Sequence, residues 1–261
     1  MASFDQIKRK VMRPPSAQNW TRLNAFGDLE KTTLLIANFA VGVPAFNYIP
    51  AVGACKHKVE LGLDLDTAVK SVRRSGAPAG RESNESLVRA FYDYDGERQY
   101  GSKGFAESFD DGAFRVSRDV RVPTKPTFTT LDSGLLCPVL ICGWQEFPFD
   151  LTHTRLFMTV LELGLFSFAD YRRSPAEVVL FPMDGEGDDR RRLPKILKRG
   201  DYELLPEKQL REQSELYIEA QTAALPIAED VWRKRDEKRK KEESASTPAF
   251  VFDADPDLFR R

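Results

Sequence analysis

The sequence predicts an α/β (or α+β) fold, with a central mixed sheet on an α-β-β-β-α-β core and helical additions before and after it. Three observations carry this. Residues 135–144 form a nearly continuous apolar run, as in a strand covered on both faces. Residues 155–168 then place apolar side chains over most of a helical surface, leaving a narrow polar stripe of Arg155, Thr159 and Glu162. Residues 177–181 read as a second buried strand, so strand, helix and strand follow one another as in a crossover unit.

Residues 1–18 carry Lys8, Arg9 and Lys10 ahead of Pro14 and Pro15 and read as a basic flexible arm. Residues 19–80 read as mainly helical. Leu29 to Val41 is a helix, followed by an extended buried segment through Tyr48. The uncharged span 32–55 is long enough to cross a bilayer. Asn38, Pro44, Asn47 and Pro50 interrupt it, and cations flank both sides, so no membrane segment is expected. Residues 59–72 read as a short strand and a helix from Asp66, and residues 75–81 are a loop by composition.

The core, residues 81–183, opens on a helix capped by Ser83 or Asn84 and running through Leu87, Val88 and Phe91 to Tyr94. Residues 93–112 are polar and dotted with glycine. In residues 114–122, Phe114, Val116, Val120 and Val122 alternate with polar residues, which reads as one strand with Arg118 breaking the apolar side. Residues 127–131 are rich in β-branched and aromatic side chains and read as the next strand. Asp132-Ser133-Gly134 is a tight-turn signal. Pro138 has no N–H for a ladder and is expected at a strand start or a bulge. Thr152 is the expected cap of the following helix.

Residues 184–201 read as a charged loop, acidic through Asp184, Glu186, Asp188 and Asp189, then basic through Arg190, Arg191, Arg192, Lys195, Lys198 and Arg199. Residues 202–243 read as two helices separated at Pro226. Residues 244–261 form a linker and an acidic-aromatic tail. In that tail Phe250, Phe252, Leu258 and Phe259 resemble a short peptide that docks in a partner's pocket.

A hydrophobic content of 41% supports a real core, and a net charge of −1 gives no global attraction to nucleic acid or membrane, so any such attraction is local. Three cysteines do not make a disulfide framework, which points to a reducing, cytoplasmic location. Cys55-x-His57 and Cys137-x4-Cys142 lack paired metal-ligand spacing. His153 has no Ser or Cys beside it in a nucleophile context. Asp132-Ser133-Gly134 resembles an aspartic-protease motif, but Ile141-Cys142-Gly143 follows at hairpin distance. In residues 96–104 Ser102 precedes Lys103, the reverse of the phosphate-loop order.

The order helix, three strands, helix, strand is similar to the core of the restriction-endonuclease-like superfamily, whose motif is written PD-(D/E)XK. The resemblance covers about 100 residues and rests on element order. It implies an acid at the end of the second strand, which Asp132 matches, and an acid-x-Lys on the third. That strand offers Val139, Leu140, Ile141, Cys142, Gly143 and Trp144, with neither acid nor lysine. The resemblance therefore implies a copy without metal-dependent cleavage.

The leading expectation is a non-catalytic intracellular binding or scaffold protein, with no cofactor, in a DNA-processing or mobile-element assembly. Lys8, Arg9, Lys10, Arg190, Arg191, Arg192, Lys195, Lys198 and Arg199 would contact nucleic acid, and the tail a protein partner. One alternative is a magnesium-dependent nuclease with a migrated site of Asp132, Glu85 and Glu162. Another is a structural subunit of a larger assembly such as a virus particle or secretion machine.

Overall fold

The structure is a computed structural model, and it describes residues 3–42, 44–106 and 112–246. The helices are α1 (Phe4–Met12), α2 (Ala17–Leu23), α3 (Leu29–Val41), α4 (Ile49–Leu61), α5 (Leu65–Ser75), α6 (Arg81–Arg98), α7 (Leu151–Gly164) and α8 (Glu207–Ser246). The strands are β1 (Phe105–Ala106), β2 (Ala113–Arg115), β3 (Arg121–Pro123), β4 (Phe128–Asp132), β5 (Leu135–Cys142), β6 (Glu177–Leu180), β7 (Met183–Asp184), β8 (Arg191–Arg192) and β9 (Lys195–Lys198). The main sheet has the order β1-β4-β5-β6-β9, and only the β5–β6 pair is parallel. This is an α/β chain with a mixed sheet, as the sequence predicts.

Side-chain alternation splits the sheet between two cores. Leu140, Cys142, Val178, Leu180 and Leu197 face α7, with α2, α3 and α8 behind it. Phe128, Cys137, Val139, Ile141 and Val179 face α4, α5 and α6. With helices on both faces, β5 can be apolar along its length. The β4–β5 hairpin closes through Ser133 and Gly134, at φ 53° and 80°, the left-handed pair that a two-residue turn between twisted strands requires. Pro138 lies inside β5 rather than at its start. It pairs with Thr129, and β6 begins opposite Val139, one residue later, so no second ladder needs its N–H.

Several expected elements differ. Residues 4–12, expected to be flexible, form α1. Ser3 and Gln6 make a reciprocal capping box, and Ile7 and Val11 are buried. The stretch 114–122 is a separate hairpin, not a strand of the main sheet. The Ser117 hydroxyl accepts from the Asp119 and Val120 amides and turns the chain there. The short β1 takes the edge beside β4 instead. Val59 lies in α4, since Ala51, Cys55 and Val59 are buried at four-residue spacing and Gly62 ends the helix at φ 69°. Helix α6 begins at Arg81, and Asn84 is a buried side chain within it rather than a cap. Asp150, not Thr152, caps α7 by accepting from the His153 amide. The charged segment 184–201 contains the end of β7, then β8 and the sheet-edge strand β9.

Helix α8 continues through Pro226 as one helix of 40 residues. An internal proline costs about 3 kcal/mol. Ala220, Ala224 and Ala228 offset this by presenting a fully buried small-residue face, with α3 packed along the helix. Gln221 Nε2 bonds the Val11 carbonyl, Arg235 Nη1 bonds the Val41 carbonyl, and the Phe4 ring meets Trp232 at 5.7 Å. Helix α1 therefore runs along the middle of α8. Among the described residues, no helix is long and apolar enough to cross a membrane.

Arg192 ties the carboxyl ends of β5 and β6 to α6. Its guanidinium donates to the carbonyls of Phe181 at 2.6 Å, Gly143 at 3.2 Å and Trp144 at 3.3 Å. It also donates to Ser86 Oγ at 2.8 Å and the Tyr48 hydroxyl at 3.0 Å. A Cβ on Gly143 would stand 2.5 Å from the Tyr48 ring, so this end of the sheet is closed tightly. Arg192→Ala would take the guanidinium from two buried carbonyls, those of Gly143 and Phe181, and should lower the unfolding free energy by about 3–5 kcal/mol. Arg191→Ala, at an exposed side chain next door, should stay within about 0.5 kcal/mol of wild type. Urea denaturation of the two variants checks this, and equal effects would contradict the assignment.

Candidate functional site

At the opposite end of the sheet β4 ends, β5 and β6 begin and β9 ends. Here α6 stops at Arg98, and Gln99 turns the chain at φ 55° into the short helix Tyr100–Lys103. Asp95 Oδ1 fixes that turn by accepting from the Tyr100 amide at 2.9 Å. The Tyr100 ring is fully buried, parallel to Phe91 and edge-on to Phe128 at 5.3 Å.

Four charged side chains converge on this frame. Arg98 donates to Glu177 Oε1 at 2.7 Å from Nη2 and 3.2 Å from Nε. The Tyr100 hydroxyl donates to Glu177 Oε2 at 2.5 Å. Both oxygens of this buried carboxylate are thus satisfied, which burying a charge requires. Asp132 Oδ2 accepts from Lys103 Nζ at 3.0 Å and, more weakly, from Arg98 Nη2 at 3.4 Å. Lys103 and then Arg98 hold the Asp132 carboxyl below the usual carboxylate range. Burial, and then the Glu177 charge, push the Tyr100 hydroxyl well above its ordinary value. Burial raises the Cys137 thiol to about 11, so it stays protonated near neutral pH.

The proposed nuclease carboxylates do not meet. Glu85 pairs with Arg89 at 2.8 Å and Arg73 at 2.6 Å, and these hold its carboxyl low. Glu162 on α7 pairs with Arg199, whose Nε lies 2.8 Å from Oε2. Asp132 pairs with Lys103 and Arg98. Among the described residues, no three His, Cys, Asp or Glu side chains gather where they could hold a metal ion. Arg155 does not pair with Glu162 either; it donates to the Glu203 and Leu204 carbonyls.

The nine cations expected to meet nucleic acid separate into two groups. Arg192 and Arg199 have partners inside the fold. Arg192 is buried as described, and Arg199 holds Glu162 and the carbonyls of Tyr171 and Ser174 at 2.8 and 2.9 Å. The other seven, Lys8, Arg9, Lys10, Arg190, Arg191, Lys195 and Lys198, are exposed and make no ion pair among the described residues. Lys195 lies over the Phe147 ring at 3.6 Å. Arg172 and Arg173 are also exposed, beside the segment that Arg199 ties down, and no pattern in the sequence marks them as a site. Phe250, Phe252, Leu258 and Phe259 lie outside the described residues.

His153 sits in a second polar cleft between the starts of α3 and α7, with Arg22, Asp28, Lys31 and Asp150. Its Nδ1 faces Asp150 Oδ1 at 2.8 Å and its Nε2 faces the Asn24 carbonyl at 2.9 Å. Both ring nitrogens have structural partners, so the residue ties the start of α7 to the end of α2.

No protein-family model matches the sequence, and no curated protein matches it.

The sheet-end cluster has a measurable pH signature. A depressed Asp132 pKa adds stability that is present above the unfolded carboxylate value, about 3.9, and is lost as pH falls through the folded value. The Asp132 side chain is 28% exposed, so solvent screening limits the gain to about 1 kcal/mol or less. Asp132→Asn should be slightly less stable than wild type near neutral pH, with the gap closing below about pH 4. Urea melts across this range check it; a gap that widens in acid would contradict the ion pairing.

Proposed function

We propose that this chain is a nucleic-acid-binding module that works by contact and not by cleavage, in the manner of non-catalytic members of the restriction-endonuclease-like superfamily. The observation that carries the reading is the division of cations. Arg192 and Arg199 are used inside the fold, while α1 and the β8–β9 segment present Lys8, Lys10, Arg190, Arg191, Lys195 and Lys198 without counterions among the described residues. Such side chains suit backbone phosphates, which fix position without reading sequence. Asp132, Glu85 and Glu162 each face cations, which favours contact over a shared magnesium ion. An intracellular location belongs to the same reading, in keeping with three buried free thiols. A protein partner would meet the tail beyond α8, and a pull-down with residues 245–261 tests that part separately.

The experiment is an anisotropy titration of a short labelled duplex at about 50 and 200 mM salt, with and without magnesium. Wild type should bind more weakly at the higher salt and leave the DNA intact. Lys8→Ala with Lys10→Ala, and separately Arg190→Ala with Arg191→Ala, should each flatten the logarithmic salt slope by about 0.9 for every phosphate that the variant no longer neutralises. Absence of binding at low salt, or binding insensitive to salt, would overturn the proposal. Nicking that requires magnesium would move the assignment to the nuclease.

A further inference from the structure

The two acids of the sheet-end cluster are not equivalent. Glu177 is buried and engages Arg98 through two nitrogens, with Tyr100 completing its shell. Arg98 therefore keeps its counterion whether or not Asp132 is present. Asp132 adds a longer bond to one Arg98 nitrogen and, among the described residues, is the acid paired with Lys103. It is the last residue of β4, ahead of the turn, and its side chain is partly exposed. Turning that carboxylate away would leave Lys103 and one edge of Arg98 without it and, among the described residues, with no other acid in its place.

The chemistry of that space is specific. An anionic oxygen accepts there from a lysine ammonium and a guanidinium, the donor pair that suits a phosphate oxygen. Lys198 extends the site. It is the cross-strand partner of Glu177, so both side chains leave the sheet on the same face, and Lys198 is exposed and unpaired among the described residues. We propose that the sheet end is a phosphate site built from Lys103, Arg98 and Lys198, and that Asp132 is its built-in competitor, occupying the place of a backbone phosphate until a nucleic-acid strand displaces it. This rests on the nucleic-acid reading above and adds to it a contact region and a device that weakens the contact.

The test is Asp132→Asn, with Asp132→Ser as a second variant, in the same duplex titration. Each should bind more tightly than wild type at about 50 mM salt. Each should also lose about 3.5-fold more affinity than wild type on going to about 200 mM, the effect of neutralising one more phosphate. Adding Lys103→Ala should cancel the gain. A parallel thermal melt uses inorganic phosphate as the probe, which should raise the Tm of Asp132→Asn more than that of wild type. If wild type binds DNA but both variants bind equally well or more weakly, and phosphate shifts neither melt, the competitor role is overturned and the nucleic-acid reading stands. If no form binds DNA while phosphate still stabilises Asp132→Asn selectively, the nucleic-acid reading fails and the phosphate site stands.

Discussion

The fold depends on a guanidinium that meets backbone carbonyls and, among the described residues, no carboxylate. Arg192 reaches from β8 into the space where β5 and β6 end, and its N–H groups take up carbonyls that the finished ladder leaves open. Burial alone would lower its affinity for a proton, yet a guanidinium keeps its charge in such places because its intrinsic pKa is so high. The same contacts hold α6 through Ser86 and the approach to α4 through Tyr48. One end of the sheet is thereby sealed by backbone oxygens around a cation. The polar chemistry is displaced to the other end, where Glu177 begins β6 and meets Arg98 and Tyr100.

That arrangement separates the charges of the chain by function. Two arginines whose planar fork matches several oxygens, Arg192 and Arg199, have become internal. Lys195 and Lys198, with compact and strongly hydrated heads, remain exposed on the edge strand. On β9 the exposed Lys195 and Lys198 also protect a sheet edge from pairing with another strand. Edge protection and phosphate contact ask the same thing of these side chains, namely exposure and freedom from counterions. The solvated end of α8 differs: Arg233, Lys234 and Lys240 are held by Glu229, Asp230 and Asp236 one turn away. Charge density alone would rank that helix end with α1; pairing distinguishes them.

The framework was legible in the sequence wherever burial was two-sided or a turn had a steric requirement. The apolar run of β5, the buried strand β6, helix α3 and the Asp132-Ser133-Gly134 turn all lie where the pattern places them. What was not legible depends on partners distant in sequence. Pro226 reads as a helix end until the face of Ala220, Ala224 and Ala228 meets α3. Lys8, Arg9 and Lys10 read as an arm, although the Ser3–Gln6 capping box and the spacing of Phe4, Ile7 and Val11 were there to be found. Arg192 and Arg190 are equivalent in a basic run, and only the packed sheet shows which is internal. At the sheet end Asp132 stands out in the sequence for its place after a strand. Arg98, Lys103 and Glu177 come from three other segments, and the only linear hint was an acid opening an otherwise apolar strand.

The central claim is that exposed cations of α1 and the β8–β9 segment, and not simply all surface lysines, meet nucleic acid. The most direct measurement is a lysine footprint: brief acetylation of the protein, free and saturated with a short DNA duplex, read residue by residue by mass spectrometry. The account predicts protection of Lys8, Lys10, Lys195 and Lys198, while Lys208, 88% exposed at the start of α8, reacts equally in both states. Uniform protection, or protection at Lys208 with none at those four, would contradict it.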